Sequence, residues 1–194
     1  AGIGKMIYDF DMGSFEGIQR LFGSEFADNW MIYVGNLFFW TPLFVFVLVM
    51  LFRAKREVRW LNLLFAAGSF VLSYQCAILL GRMFARPAPF HVESLFLLRP
   101  IPELSIHNMY SLPDWAIAAT FATLLFSHVR IRAAGQPFPI ILWSVLVIPV
   151  IARIYAGYAY PVDIILGMIL GIIIGQFMVH FARNVEIVMA ERRR

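Results

Sequence analysis

The stretch ARIYAGYAYPVDIILGMILG, residues 152–171, joins two apolar segments through a short polar turn. Pro161 favours the first turn of a new helix, where its missing N–H is not needed. Gly167, Gly171 and Gly175 follow at intervals of four, so this helix can approach another closely, within the bundle or on a partner. We favour packing within the bundle. The stretch therefore predicts two membrane helices joined by a tight turn.

The composition extends this prediction to the whole chain. Of its 194 residues, 61% are hydrophobic and only 14% are charged, which is typical of a polytopic membrane protein. We predict an all-α membrane helix bundle over residues 31–181, because five apolar stretches are long enough to cross about 30 Å of hydrocarbon. The five predicted transmembrane helices are 31–52, 60–83, 113–129, 138–155 and 161–181.

The first thirty residues differ from the rest. Within 1–30, apolar and polar residues alternate with a helical period, and Phe15, Ile18, Phe22 and Phe26 fall near one face. This pattern predicts an N-terminal amphipathic helix that lies in the membrane interface or packs against the bundle.

The distribution of charge predicts the orientation. Residues 53–59, 128–132 and the tail 182–194 hold ten of the sixteen Lys and Arg residues but three of the twelve acids. By the positive-inside rule these segments are cytoplasmic, which makes 182–194 a basic cytoplasmic tail and puts the N-terminus outside. The net charge of +4 then reflects contact with membrane lipids and needs no nucleic acid.

Several classes of site are disfavoured. The single Cys76 excludes a disulfide framework and a cysteine-based zinc site, and His180 has no second metal ligand at its depth. We expect no metal and no other cofactor. The middle of every predicted span lacks charged residues, which argues against a transporter or channel.

Three segments meet at the predicted outer end of the bundle: 81–90, 110–122 and 152–171. On a continuous helix, residues 82 and 86 share a face. Singly, the arginines are suited to snorkel to headgroups and the aspartates to favour helix dipoles. Together they predict a shared polar site for a phosphate or headgroup. Its members are Arg82, Arg86, Asp114, Arg153 and Asp163.

In order, spacing and membrane side, these segments resemble the type 2 phosphatidic acid phosphatase family, especially its small bacterial undecaprenyl-diphosphatase type. The family motifs are Lys-x6-Arg-Pro, Pro-Ser-Gly-His and Ser-Arg-x5-His-x3-Asp. The matching residues are Arg86, Pro87, Pro113, Arg153 and Asp163. The departures are Leu79 for Lys, Asp114-Trp115-Ala116 for Ser-Gly-His, Ala152 for Ser and Ala159 for the second His. The resemblance implies a phosphatase-like bundle in a bacterial inner membrane, with its site on the outer face.

The departures decide the predicted function. In the family, one histidine attacks phosphorus and another protonates the leaving oxygen, and alanine at 116 and 159 does neither. The resemblance therefore implies a non-catalytic member with no catalytic residues, acting as an accessory subunit of a membrane assembly with protein partners or as a binder of anionic lipid headgroups. The alternative is an active lipid phosphatase with displaced groups, such as His91 or His107 in the outer loop.

Asp114 carries a further hypothesis. It brings a carboxylate to the position at which the family binds phosphate oxygens. We expect it to pair with Arg86 or Arg153 and to occupy the site as an internal anion. Because this lowers the positive potential that a lipid receptor needs, the accessory subunit is the favoured function.

Overall fold

The computed structural model describes residues 2–54, 56–89 and 110–192, and within these ranges the chain is helical without a β-strand. The fold is therefore all-α, as predicted. Two short 3-10 helices, Leu37–Trp40 and Arg56–Val58, flank the third α-helix. The α-helices are α1 (Ile3–Phe22), α2 (Glu25–Gly35), α3 (Thr41–Ala54), α4 (Arg59–Phe84), α5 (Trp115–Ala133), α6 (Ile141–Val145), α7 (Val147–Tyr155) and α8 (Pro161–Glu191).

Three helical segments in the described part of the chain are long and apolar enough to cross a membrane: Leu37–Ala54, Arg56–Phe84 and Pro161–Glu191. The 31 residues of α8 span about 46 Å, which exceeds the hydrocarbon thickness of a bilayer. These helices are consistent with a membrane protein. The five-span count goes beyond what length and composition establish.

The other two predicted spans differ from the expectation for physical reasons. α5 has the length of a span, but its threonine, serine, histidine and arginine side chains make it less apolar. Many of these side chains face other helices rather than lipid, as in the buried Thr120, Thr123 and Ser127. The predicted span 138–155 is two short helices, α6 and α7, which meet at Leu146.

The prediction for residues 1–30 needs two corrections, one to the number of helices and one to the face that is buried. Residues 1–30 do not form one helix, because α1 ends at Phe22 and α2 begins after Ser24, whose side chain accepts a hydrogen bond from the Ala27 N–H. The buried face of α1 contains Asp11, Phe15 and Gln19, whereas Phe22 is exposed, as is Phe26 on α2. The predicted face missed this because it was drawn through apolar residues alone. The apolar segment accordingly starts at Leu37 rather than at residue 31.

The predicted tail is also different. α8 continues without a break to Glu191, so residues 182–191 extend the last helix. Ala182 is fully buried, and the Glu186 carboxylate pairs with Arg130 of α5. Packing therefore holds this part of the basic segment as helix.

The glycines of α8 pack against α5. A Cβ atom added at Gly167 would lie 2.6 Å from the Asp114 carbonyl oxygen, and one added at Gly171 would lie 2.6 Å from that of Ala118. Only glycine permits this approach. Both positions advance by four residues in the same direction, so α5 and α8 run parallel. The favoured interpretation, glycine packing within the bundle, is confirmed.

α4 runs antiparallel to α5. Tyr74 packs edge-on against Trp115 at the start of α5, whereas Asn62 accepts a hydrogen bond from Arg130 near its end. The bundle therefore has two ends, which we call the Asp114 end, at the N-termini of α5 and α8, and the Arg130 end. The described residues of the three basic segments, 53–54, 56–59, 128–132 and 182–192, lie at or next to the Arg130 end.

Candidate functional site

Arg153, in the last turn of α7, is buried at the Asp114 end. Its Nε donates to Asp114 Oδ2 at 2.8 Å, and a second guanidinium nitrogen lies 2.8 Å from the same oxygen. The third nitrogen donates to the Gly35 carbonyl oxygen at the end of α2, also at 2.8 Å. The Arg153 and Asp114 side chains are 5% and 2% exposed. The guanidinium is thus held between α2 and α5 and has little contact with solvent.

Arg86, just beyond α4, is held by two carboxylates. One guanidinium nitrogen donates to Asp163 Oδ1 at 2.7 Å, and another donates to Asp11 Oδ2 at 2.5 Å. Both carboxylate side chains are fully buried. The second oxygen of Asp11 accepts from the Val162 N–H at 3.1 Å, which ties α1 to the start of α8.

The two arginine sites are neighbours. The Asp114 N–H donates to the Asp163 carbonyl oxygen at 3.0 Å, so the first residues of α5 and α8 are joined by their backbones. Each aspartate also caps its own helix: Asp114 accepts from the Ile117 N–H and Asp163 from the Tyr160 N–H. The N-termini of α5 and α8, where an external anion would bind favourably, are each occupied by a carboxylate of the chain.

The turn between α7 and α8 covers both arginines with aromatic rings. The Arg153 Cζ lies 5.0 Å from the centre of the Tyr158 ring, and the Arg86 Cζ lies 4.2 Å from that of Tyr160. Ala159, between the two tyrosines, is fully buried. Tyr158 and Tyr160 thus contact the arginines, whereas Ala159 between them packs in an apolar cluster with Phe15.

Ala116 and Ala159, at the positions where the resembled family has histidines, are enclosed. Ala159 packs among apolar side chains, and Ala116 lines a cavity of about 20 Å³ beside Arg153. That volume is close to what one water molecule requires, so it is too small for a phosphate group. His180 lies seventeen residues after Asp163 on α8, roughly 25 Å along the helix.

Two further histidine positions belong to the alternative hypothesis. His91 and His107 lie outside the described residues, so their proposed role as displaced catalytic groups stays a prediction. His128 lies on the last part of α5, where its Nδ1 accepts a hydrogen bond from the Trp143 indole.

Arg82 does not join the group. The prediction placed Arg82 and Arg86 on one helical face, but α4 ends at Phe84 and Ala85 adopts the left-handed conformation with a φ of 49°. The chain therefore leaves the helix before residue 86, and the face is not continued. Arg82 is exposed, while Arg86 turns toward α1 and α8. The structure brings together four of the five predicted residues.

The electrostatics of the site do not favour an anion. Three carboxylates surround two guanidinium groups, which leaves one excess negative charge when all are ionised. Burial alone would lower the pKa of Arg86, but its hydrogen bond with Asp11 and the charges of Asp163 and Asp11 raise the pKa above its usual value. Burial raises the pKa of Tyr160 to about 12, although the Arg86 charge opposes this effect.

Two groups that bind the arginines, the Asp11 carboxylate and the Gly35 carbonyl, were missed by sequence reasoning. Asp11 was not included in the predicted site, yet it lies one turn before the buried Phe15 and two turns before the buried Gln19. This spacing of four is the signal that identifies it. The Gly35 carbonyl leaves no comparable trace in a sequence, because every residue carries one.

Comparison with known proteins adds no family. No protein-family model matches the chain, and neither a curated protein nor a solved structure matches it. Among the described residues, no three His, Cys, Asp or Glu side chains are placed to hold a metal ion.

Proposed function

We propose that the chain is a non-catalytic, phosphatidic acid phosphatase-like membrane protein that acts as a structural subunit of a membrane assembly. The observation that carries the proposal is the occupation of both arginines, the buried Arg153 and the half-buried Arg86, by carboxylates of the chain itself. Arg153 pairs with Asp114, and Arg86 pairs with Asp11 and Asp163. This agrees with the expectation that Asp114 acts as an internal anion.

The chemistry of phosphoryl transfer supports a non-catalytic protein. Such a reaction needs a nucleophile and an acid next to the guanidinium groups that neutralise phosphoryl oxygens. In the motif positions for those groups stand Ala116 and Ala159, both buried. Loss of a nucleophile or acid from a catalytic unit removes several orders of magnitude of rate.

A structural role fits this site better than a lipid receptor does. A receptor requires an open cationic pocket, whereas this site is nearly filled and has more carboxylates than guanidinium groups. The ion pairs instead connect α1, α5, α7 and α8 at one end of the bundle, and the hydrogen bond from Arg153 to the Gly35 carbonyl adds α2. Buried polar groups of this kind fix the register in which helices associate.

We further propose five membrane crossings, in α3, α4, α5, the α6–α7 pair and α8. The parallel packing of α5 on α8 supports this count, because two parallel crossings require an odd number of crossings between them. The positive-inside rule then puts the Arg130 end in the cytoplasm and the Asp114 end outside, in the inner membrane of a bacterium.

Hydrolysis of a labelled polyprenyl diphosphate by the purified chain separates the proposal from the alternative of an active phosphatase. The proposal predicts no phosphate release above a protein-free background, in the wild type and in Arg153→Ala alike. Turnover in the wild type that disappears in Arg153→Ala would establish the enzyme instead.

The subunit role has its own test. Mild-detergent extraction of the native membrane, followed by size separation and chemical cross-linking, should find the chain at the mass of a complex with defined, stoichiometric cross-links. A chain that migrates alone under all extraction conditions contradicts the subunit role but leaves the absence of catalysis unaffected.

A further inference from the structure

A second charged region lies at the Arg130 end, away from the site described above. An open pocket of about 540 Å³ is lined by Phe52, Arg53, Arg56 and Arg59, at the turn between α3 and α4. Its described lining contains three guanidinium groups and no carboxylate. The Arg59 Cζ lies 5.0 Å from the centre of the Phe52 ring, so one of the cations is held against an aromatic face.

A long apolar groove runs along the same pair of helices. It has a volume of about 550 Å³. Its lining is apolar except for two threonines, Thr41 on α3 and Thr123 on α5. Leu48 and Leu63 line its end nearest the turn. Both helices have the length and composition of membrane spans, so the groove faces the space that lipid chains occupy.

The pocket and the groove are adjacent. Leu48 lies one helical turn before Phe52, and Leu63 lies one turn after Arg59, so about 6 Å along the helices separates the two. We propose that the α3–α4 hairpin binds one anionic phospholipid, with its phosphate in the arginine pocket and one acyl chain in the apolar groove.

The pairing of the two features identifies the ligand class. Three cations without a carboxylate complement a phosphate-bearing headgroup, and arginine binds phosphate oxygens in bidentate fashion. A free phosphate would use the pocket but would leave the apolar groove without an occupant. The arginine pocket shares no residue with the closed site at the Asp114 end, so the cations that would bind the phosphate are distinct from Arg86 and Arg153. In the predicted orientation the lipid belongs to the cytoplasmic leaflet, where anionic lipids attract basic residues.

The test measures association of spin-labelled phosphatidylglycerol and phosphatidylcholine with the full chain in phosphatidylcholine vesicles. We expect the wild type to prefer the anionic lipid. The triple variant R53Q/R56Q/R59Q should reduce its association constant at least about tenfold, because each arginine near the surface contributes to binding. The matched control R132Q/R183Q/R192Q removes three exposed charges near the same end of the bundle. It should keep the preference for phosphatidylglycerol.

A groove variant keeps the test decisive if the triple variant does not fold. Ala67 is exposed and lines the groove, so Ala67→Trp should fill the groove and weaken phosphatidylglycerol binding without changing the arginines. Competition with inorganic phosphate distinguishes a lipid headgroup from free phosphate as the ligand. If the ligand is a lipid, inorganic phosphate should displace little of the bound phosphatidylglycerol. The proposal is overturned if the wild type shows no preference, if both triple variants lose it equally, or if phosphate competes fully while Ala67→Trp has no effect.

Discussion

Replacing Asp114 by asparagine removes one charge from the most enclosed ion pair of the site. Asparagine has nearly the same shape and is as good an N-cap as aspartate, so the hydrogen bond from the Ile117 N–H is retained. What changes is the charge balance, because the Arg153 guanidinium keeps its positive charge without the carboxylate at 2.8 Å.

The burial of the pair sets the expected magnitude. With side chains 5% and 2% exposed, neither Arg153 nor Asp114 can recover hydration by a small movement. Removing one partner of a buried ion pair costs about 3–5 kcal/mol. We therefore expect Asp114→Asn to lower the free energy of unfolding by about 3 kcal/mol or more.

Denaturant unfolding of the chain in detergent micelles measures this difference. Asp9→Asn is the matched control, because it makes the same chemical change at an exposed position of α1 and should alter stability by less than about 0.5 kcal/mol. The double variant D114N/R153M should recover part of the loss, because it leaves no unpaired charge. The reasoning is refuted if Asp114→Asn and Asp9→Asn have equal effects on the free energy of unfolding. It is also refuted if the double variant loses as much stability as Asp114→Asn and Arg153→Met lose separately when added together.

Three further predictions concern the surroundings of the site. Gly171→Ala should destabilise the chain by about 1–3 kcal/mol, since its Cβ would lie 2.6 Å from a backbone oxygen, whereas Gly13→Ala meets nothing within 4 Å and should be neutral or stabilising in the same unfolding assay. Asp11→Ala should release α1 from the bundle, so that trypsin cleaves after the exposed Arg20 at least about tenfold faster, and an unchanged rate would contradict the docking role of Asp11. Because the pKa of Tyr160 is raised from 10.0 to about 12, the folded state keeps the proton longer than the unfolded state, so stability should fall between about pH 10 and 12 in the wild type and fall less in Tyr160→Phe.

The sequence was sufficient for features that depend on local rules. Pro161 does start α8, and the glycines at intervals of four do pack against α5. The pairing of Asp114 with Arg86 or Arg153 followed from placing a carboxylate where the resembled family binds phosphate, and the structure shows Arg153 as the partner. Each of these rests on residue type and spacing within one segment, or on one motif.

Other features depend on where distant segments end. Arg82 was grouped with Arg86 on the assumption of a continuous helix through residue 86, and a single left-handed residue at 85 prevents this. The docking of Asp11 depends on which face of α1 meets α8, and apolar periodicity identified Phe15 on that face but not its polar members Asp11 and Gln19. α5 carries polar groups inside the bundle, so its hydropathy does not place it with the three segments that are apolar enough to cross a membrane.

Binding of inorganic pyrophosphate, followed by ³¹P NMR during titration of the purified chain, tests most directly whether Arg86 and Arg153 are already occupied. Occupation by Asp114, Asp11 and Asp163 predicts the same response in the wild type and in Arg153→Ala, because phosphate bound in the arginine pocket at the Arg130 end does not depend on residue 153. A saturable shift in the wild type that is lost in Arg153→Ala would show that Arg153 is open to an external phosphate, and would contradict the account.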